Sequence, residues 1–276
     1  MDWTRQTALI TGAGSGIGRA LANALHARGC ALILTDIDTA RLDRVTEELD
    51  DGPGVQCLRL DVSDPAAITA LPAQLGAAPT LLVNNAGVAV GGDFETIAES
   101  DFDWLLSINL IAPIRMTRTF MPLLRQAPEA VIVNISSLFG LIAPAGQTAY
   151  CASKYGLRGF SDSLRHELSG SNIRVMTVHP GGVRTAIADD ARLPAGINDA
   201  REDRARMNAF LKMPPEDAAE IILRGIERRK RRVLIGRDAR IAALIERIFP
   251  DSYWSRLSRL SQSRQLEPAS PRTPAP

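Results

Sequence analysis

The sequence predicts an α/β protein built on one doubly wound parallel sheet, with helices on both faces. Two observations predict this fold class. Short apolar runs recur along the chain, and each is followed by a stretch of helical periodicity. These runs also contain little internal polarity, as expected of strands covered on both faces. The runs are residues 7–11, 31–35, 55–60, 81–84, 130–135 and 174–179.

The composition is that of a single globular domain with no bias toward a charged partner. The 276 residues are 45% hydrophobic and 23% charged, and 32 basic against 31 acidic residues give a formal net charge of +1. A chain of this length with alternating elements commonly folds around one sheet. Because the net charge is so small, we expect no nucleic-acid partner.

The cysteines and the N-terminal residues indicate a cytoplasmic protein. Cys30, Cys57 and Cys151 are odd in number and lack Cys-x-x-Cys spacing, so we predict neither disulfides nor a metal site. Residues 1–6 lead directly into an apolar run without the long apolar stretch of a signal peptide. No run approaches the roughly 18 apolar residues that span a bilayer.

A glycine-rich turn connects the first strand to the first helix. The sequence TGAGSGIG, residues 11–18, is followed by Ala20, Leu21, Ala24 and Leu25 at helical spacing. Glycine allows the backbone to turn sharply and to approach a pyrophosphate, and the helix N-terminus supplies N–H donors. The pattern predicts a Rossmann-like dinucleotide site. An ordinary strand-to-helix turn is the alternative.

Asp36 ends the second strand, eighteen residues after Gly18. A carboxylate at this point binds the adenosine ribose hydroxyls of NAD and repels the 2′-phosphate of NADP. The alternative role for Asp36 is to cap the helix that begins near Asp38. Because no basic residue occupies the turn before Gly16, where a phosphate partner would lie, we predict NAD rather than NADP as the cofactor.

A serine, a tyrosine and a lysine follow the fifth run at a spacing suited to proton transfer. Tyr150 comes thirteen residues after Ser137, and Lys154 lies four residues further along the same helical face. A tyrosine with a pKa near 10 is a poor base unless a cation stabilises its phenolate, and Lys154 is such a cation. We predict hydride transfer between nicotinamide and an alcohol or carbonyl carbon, with Tyr150 as acid/base and Ser137 bonding the substrate oxygen.

Five elements together resemble the short-chain dehydrogenase/reductase family, in its compact single-domain branch. They are TGAGSGIG, NNAG at 84–87, Ser137, YCASK at 150–154, and Pro180-Gly181, in the family's order and spacing. The resemblance covers about residues 7–185. It implies an oxidoreductase that acts on the CH–OH group of a secondary alcohol or on a ketone, with a nicotinamide cofactor.

The resemblance also implies roles for individual residues. Asn109 matches the fourth catalytic residue, which holds a water behind the lysine. Asp61 and Val62 match the adenine contacts, 85–87 the ribose-bordering segment, and 180–185 the nicotinamide loop. With the glycine turn and Asp36, the expected cofactor contacts are Gly12, Ser15, Gly16, Ile17, Gly18, Asp36, Asp61, Val62, Asn85, Ala86, Gly87, Tyr150, Lys154, Pro180, Gly181, Val183 and Thr185.

The chain divides into three parts. We predict a Rossmann-fold domain at 1–240, which includes the family's substrate lid at 186–213. An amphipathic helical extension follows at 241–261, where apolar residues recur at helical spacing. The last part, 262–276, contains four prolines and little apolar content, and we predict a disordered tail.

The C-terminal part departs from the family's commonest form, which closes its sheet with a segment leading to Asp-Gly-Gly. Here ERRKRRVLIG, residues 227–236, takes that place, and 233–235 could form the last strand. We expect a homodimer through the long helices that contain Asn109 and 150–154. The basic run beside amphipathic helices could contact an anionic membrane or simply form a solvated face.

The substrate and the competing functions are less constrained. Apolar segments at 88–90 and 138–142 predict a hydrophobic secondary alcohol or ketone, unless these residues are core beneath the site. One rival function is an NAD-binding regulatory protein without turnover, which would be expected to lack Tyr150 or Lys154. A second rival is an epimerase or lyase of the same family, with no net release of NADH. We expect His179 to be structural.

Overall fold

The computed structural model describes residues 1–49, 54–194 and 200–257 of the chain. These residues contain one sheet of seven parallel strands in the order β3-β2-β1-β4-β5-β6-β7. The predicted fold, a doubly wound parallel sheet, is confirmed. The strands are β1 Thr7–Thr11, β2 Ala31–Asp36, β3 Val55–Arg59, β4 Leu81–Asn84, β5 Ala130–Ile135, β6 Ile173–Pro180 and β7 Arg232–Ile235.

Helices lie on both faces of the sheet. The helices are α1 Gly16–His26, α2 Thr39–Glu48, α3 Pro65–Ala70, α4 Glu99–Leu106, α5 Ala112–Gln126, α6 Thr148–Glu167, α7 Ala200–Asn208, α8 Pro215–Glu227 and α9 Arg237–Ile248. The apolar sides of α1, α2 and α8 form one core, and those of α3 and α5 form the other. None of the helices in the described ranges has the length and apolar character needed to span a bilayer.

The central strands contribute to both cores, which explains their low polarity. In β1, Leu9 enters one core while Ala8 and Ile10 enter the other. Successive side chains of a strand point to opposite faces, so a strand between two helical layers must be apolar throughout. Phe120 of α5 is completely buried in the second core, and a side chain of this size contributes about 2 kcal/mol or more when removed from water.

The strand order reverses between the parallel neighbours β1 and β4, and this opens a crevice at their carboxyl ends. Two side chains fix the backbone there. The Thr11 hydroxyl accepts hydrogen bonds from the backbone N–H groups of Asn85 and Ala86 at 3.0 and 3.1 Å. The Asn85 amide donates to the carbonyl oxygens of Thr11 and Gly12, both at 2.9 Å. The glycine turn and the segment after β4 are therefore joined.

The C-terminal part forms the last strand and then a helix. The strand predicted at 233–235 is present as β7, and Gly236, with φ +96°, makes the turn into α9. Because α9 begins at Arg237, the boundary predicted at residue 240 falls inside a helix. Residues 258–261 of the predicted extension, the tail at 262–276 and residues 195–199 of the predicted lid lie outside the described residues.

Candidate active site

The glycine turn has the geometry of a phosphate cradle. Gly12 and Gly16 have φ of +64° and +53°, a region that L side chains rarely adopt. A Cβ on Gly18 would overlap the Gly12 carbonyl oxygen. Ser15 is the N-cap of α1, but within the described chain no side chain caps this helix. Its first N–H groups are therefore available to an anion. Ile17 is buried in the core.

Asp36 faces the glycine turn from the end of β2. Its carboxylate accepts hydrogen bonds from the backbone N–H of Gly14 at 2.9 Å and of Asp38 at 3.1 Å. The cap of α2 is Asp38, which accepts from the N–H of Arg41 at 3.1 Å. Asp36 is thus not the helix cap, and its carboxylate lies where a ribose would approach the turn.

Asp61, Val62, Asn85, Ala86 and Gly87 lie at the same edge of the sheet. The Asp61 carboxylate accepts from the backbone N–H and the hydroxyl of Ser63 at 2.8 and 2.6 Å. Val62 is buried against the second core. The side chains of Asp61 and Asn85 are therefore occupied in shaping the backbone, and Gly87 is exposed.

The structure brings Ser137, Tyr150 and Lys154 together. Ser137 precedes a 3-10 turn, Leu138–Gly140, and its hydroxyl accepts from the N–H of Phe139 at 3.1 Å. The Ser137 side chain lies close enough to Tyr150 to lower the pKa of its hydroxyl. One turn further along α6, Lys154 Nζ lies 5.5 Å from the centre of the Tyr150 ring. The three residues predicted from sequence spacing thus form one cluster at the carboxyl end of β5.

Burial dominates the electrostatics of this cluster. Desolvation raises the pKa of Tyr150 to about 12, and the neighbouring Ser137 side chain lowers it by less. Burial also lowers the pKa of Lys154 to about 8. Lys154 is 3% exposed and donates to the Ile135 carbonyl oxygen at 3.1 Å. At neutral pH Tyr150 is therefore protonated, and any stabilisation of its phenolate by Lys154 acts against desolvation.

Asn109 lies in a π-helical turn, Ser107–Ile111, between α4 and α5. Its completely buried amide accepts from the N–H of Val88 and donates to the Val88 carbonyl oxygen, both at 2.9 Å. It also donates to the Ser153 hydroxyl at 3.3 Å. A Cβ on Gly87 would lie 3.2 Å from Asn109 Oδ1 and 3.5 Å from Lys154 Nζ. Asn109 therefore ties the segment after β4 to α6 beside the lysine.

His179 holds the backbone of Ser137. Its ring is completely buried near the end of β6, and Nδ1 lies 2.9 Å from the Ser137 carbonyl oxygen. Because a carbonyl oxygen only accepts, Nδ1 carries the proton. Nε2 is buried without a hydrogen-bond partner among the described residues. Burial lowers the pKa of His179 to about 4, so the imidazole is neutral at physiological pH.

The loop after β6 faces the glycine turn across a cavity of about 480 Å³. Pro180 ends β6, and the N–H of Gly181 donates to the Ile235 carbonyl oxygen at 2.9 Å. Val183 is buried, and a Cβ on Gly16 would lie 2.7 Å from Thr185 Cγ2. The cavity is lined by Ser15, Gly16, Arg19, Arg184, Thr185, Ala186, Asp189, Asn208, Leu211 and Pro215.

The segment 186–194, the described start of the predicted lid, is fastened at both sides of the crevice. On the side of α2, Arg41 pairs with Asp190 at 3.1 Å. On the other side, Arg192 pairs with Asp101 of α4 at 2.7 Å, and its guanidinium lies 3.6 Å from the centre of the Trp104 ring. These contacts join residues far apart in sequence, and no local pattern predicts them.

The apolar segments near the site divide into lining and core. Val88, Leu138 and Phe139 are partly exposed, and the Phe139 ring meets the Tyr150 ring edge-on at 6.1 Å. Ala89, Val90, Leu141 and Ile142 are buried. Part of the apolar wall predicted from the sequence is therefore core beneath the site.

These groups fit a nicotinamide dinucleotide. The positive-φ glycines and the uncapped start of α1 suit a pyrophosphate, and the Asp36 carboxylate suits a ribose. The same edge of the sheet carries the Ser137, Tyr150 and Lys154 cluster. A dinucleotide in the crevice would reach from Asp36 toward that cluster.

Comparison with known proteins identifies the family of the chain. A family model described as short chain dehydrogenase matches residues 6–195. The chain therefore belongs to the short-chain dehydrogenase/reductase family, an oxidoreductase family, and the resemblance drawn from the motifs is confirmed.

Similar proteins match nearly the whole chain. SadH of Mycobacterium tuberculosis, whose name describes it as an oxidoreductase, is 36% identical over 262 residues, 90% of this chain and 92% of SadH. A family member from Burkholderia phymatum, solved with NAD, has a TM-score of 0.80 and 28% identity, covering 99% and 100% of the two chains. Another from Sphingobium yanoikuyae, solved with NADPH, has a TM-score of 0.72 and 28% identity, covering 98% and 99%. These relatives support a nicotinamide cofactor.

The buried imidazole of His179 predicts acid-sensitive stability. Its pKa is about 4 in the folded chain against an ordinary 6.5, so the unfolded state binds the proton more tightly. Stability is present above pH 6.5 and falls as the pH drops toward 4, by up to about 3 kcal/mol from this group. Denaturant unfolding across that range should show a shallower pH dependence in His179→Gln. The exposed His166→Gln control should keep the wild-type slope; equal slopes in all three proteins would contradict the assignment.

Proposed function

We propose that the protein is an NAD-dependent dehydrogenase/reductase that interconverts a secondary alcohol and the corresponding ketone. The observation that carries the proposal is the cluster in which the buried Lys154 lies 5.5 Å from the centre of the Tyr150 ring, with the Ser137 side chain next to the same tyrosine. A proton donor, an oxygen-binding hydroxyl and a cation at one point are the groups needed to add or remove a proton at a carbonyl oxygen.

The residues divide the proton chemistry among themselves. When bound, the nicotinamide supplies or accepts the hydride at the carbinol carbon. In reduction, the Tyr150 hydroxyl gives its proton to the carbonyl oxygen while the Ser137 hydroxyl donates a hydrogen bond to the same oxygen. The Lys154 ammonium stabilises the phenolate that is left. Oxidation reverses these steps, and Tyr150 then takes the hydroxyl proton.

Asn109 holds the backbone and side chains next to Lys154. Its amide is committed to Val88 and Ser153, and it lies beside Lys154 in a π-helical turn. Such turns are frequent at functional sites. We assign Asn109 to holding the segment around Lys154 through which protons are exchanged with solvent, the role that the family resemblance implies.

The cofactor proposal rests on Asp36. Its carboxylate lies against Gly14 at the end of β2, where a 2′-phosphate would be repelled. The B. phymatum relative was solved with NAD and the S. yanoikuyae relative with NADPH, so the family permits either. Asp36 favours NAD in this chain.

The substrate proposal rests on the partly exposed apolar side chains next to Tyr150. Val88, Leu138 and Phe139 flank the cluster. Apolar lining with a few convergent polar groups is typical of sites for hydrophobic small molecules. A hydrophobic secondary alcohol or ketone therefore fits better than a small charged hydroxy acid.

Replacing the Tyr150 hydroxyl tests the reaction. In Tyr150→Phe, turnover should fall by at least about a hundredfold, because general acid–base catalysis contributes that much or more. NADH binding should be retained. The measurement is absorbance at 340 nm over a panel of hydrophobic ketones and secondary alcohols with each cofactor. Tyr155→Phe, in the same helix, is the matched control and should keep its activity.

The same assay separates the rival functions. Normal turnover in Tyr150→Phe would reject the mechanism. Bound NAD with no conversion of any compound in the wild type would favour a regulatory protein. Conversion of a compound without net NADH would favour an epimerase or lyase.

Replacing Asp36 tests the cofactor choice. Asp36→Ser removes the carboxylate that repels a 2′-phosphate, so kcat/KM with NADP should rise and that with NAD should fall, each by about tenfold, or about 1.4 kcal/mol. Asp43→Ser, an exposed carboxylate on α2, is the control and should leave the ratio of the two kcat/KM values unchanged. If Asp36→Ser also leaves that ratio unchanged, Asp36 does not select the cofactor.

Two surfaces suggest how the chain assembles. We propose a homodimer through α5 and α6, since Ala152 and Gly159 of α6 are exposed and small enough for a second helix to approach closely. We also propose peripheral membrane contact through α9. Its Ile241, Leu244 and Ile248 side chains are about half exposed, at 48%, 57% and 56%, and exposed arginines flank them.

The two surfaces can be tested separately on the full chain. Light scattering should give twice the chain mass of 29.8 kDa, and Gly159→Arg should give the single mass. Sedimentation with phosphatidylserine-containing vesicles should be lost in Leu244→Glu/Ile248→Glu but kept in Phe94→Glu, another exposed apolar residue. Absence of wild-type sedimentation would reject membrane contact, and a monomeric wild type would reject the dimer.

A further inference from the structure

The C-terminal segment, residues 237–253, returns to the active site and contacts it at two points. Asp238, in the first turn of α9, accepts a hydrogen bond from the N–H of Gly182 at 2.9 Å. Tyr253 lies beyond the end of α9, and its hydroxyl oxygen accepts a hydrogen bond from the N–H of Ala143 at 3.0 Å. Gly182 belongs to the loop after β6, and Ala143 to the segment between Ser137 and Tyr150. The two contacts therefore reach two different segments near the site.

The Asp238 contact is built into the loop after β6. The N–H of Gly181 is held by Ile235 of β7, and the carbonyl oxygen of Gly182 accepts from the N–H groups of Lys212 and Met213 at 3.0 and 2.9 Å. A Cβ on Gly181 would overlap the Asp238 carboxylate. The carboxylate thus lies directly against two consecutive glycines and supplies the partner of the Gly182 N–H, in addition to the backbone hydrogen bonds that hold this loop.

The Tyr253 contact holds a different segment. Ala143 follows the 3-10 turn Leu138–Gly140, against which α9 also packs. Ala143 is exposed and lies outside any helix or strand, so its backbone position depends on contacts of this kind. Leu138 and Phe139, the partly exposed apolar residues of the site, belong to the same stretch of chain.

We propose that the C-terminal segment 237–253 is a clamp on the active site. Asp238 is a positioning residue for the nicotinamide, because it fixes the loop at Gly181-Gly182 that would carry that ring. Tyr253 is a positioning residue for the substrate, because it fixes the segment at Ala143. The proposal rests on the proposed function. It assigns a role to the part of the chain where the sequence leaves the family's commonest form.

The clamp predicts that the two halves of the dinucleotide respond differently to a change at Asp238. ADP-ribose contains the adenosine and pyrophosphate groups but no nicotinamide, so the clamp predicts that its binding is insensitive to the contact at Gly182. In Asp238→Ala, the Kd for NAD should rise between about two- and tenfold, the range of one hydrogen bond's net contribution. The Kd for ADP-ribose should be unchanged. Asp238→Asn keeps a side-chain acceptor and should recover most of the NAD affinity.

Tyr253→Phe should show the complementary pattern. It removes the acceptor of the Ala143 N–H but leaves Asp238 in place, so the Kd values for NAD and ADP-ribose should stay unchanged. The KM for a substrate found with the wild type should rise between about two- and tenfold. Amide hydrogen exchange at Ala143 should also become faster, which reports the segment without any substrate.

Titration calorimetry with NAD and ADP-ribose, run on the full chain, gives the deciding comparison. Asp251→Asn, an exposed carboxylate of the same segment, is the matched control and should bind both as the wild type does. If Asp238→Ala raises the Kd values for NAD and ADP-ribose equally, Asp238 has a general folding role and the clamp is overturned. An unchanged Kd for NAD in this variant would also overturn the clamp. Unchanged exchange at Ala143 in Tyr253→Phe would overturn its second contact. If the wild type binds neither ligand, the proposed function fails and the clamp with it.

Discussion

The burial of the Lys154 ammonium constrains the rest of the site. A cation that is 3% exposed has lost its hydration, which costs several kcal/mol unless polar partners replace the water. Its partner is the Ile135 carbonyl oxygen, so the end of β5 must be held against α6. The Ser136 hydroxyl does this by donating to the Lys154 carbonyl oxygen at 3.0 Å. Ser137 follows Ser136 directly, and Tyr150 lies one helical turn before Lys154. The contact between Ser136 and Lys154 therefore also brings Ser137 and Tyr150 together.

Buried amide side chains also hold β4, β5 and α6 together. Asn84 of β4 donates to Asn134 of β5 at 2.8 Å, and Asn134 donates to Ser161 of α6 at 2.8 Å. A displaced strand would leave these groups without partners, at about 1–3 kcal/mol for each group. Such networks favour one packing of strand on helix over others of similar apolar content. The elements that carry Ser137, Tyr150 and Lys154 are therefore held in place by buried polar residues outside that cluster.

Local sequence patterns predict most of the fold and the reacting groups, since a glycine turn or a spacing of four residues is legible within one segment. Contacts between distant segments cannot be recognised within one segment, so they become visible only in the folded chain. Examples are the contacts of Arg41 with Asp190, of Asp238 with Gly182, and of His179 with Ser137. The apolar spacing in α9 predicts a helix with an apolar face. It does not say that Ala239 and Ala242 pack inward while Ile241 and Leu244 point outward.

The segment 186–194 meets α2 through Asp190 and α4 through Arg192. Under the proposed function, one short stretch of chain would therefore border both the dinucleotide and the substrate. A substitution there that admits a new substrate would also alter how firmly the dinucleotide is enclosed. In the divergence of such proteins, substrate choice and cofactor retention would then be inherited as linked traits, and a loop exchanged between two relatives would bring its effect on both.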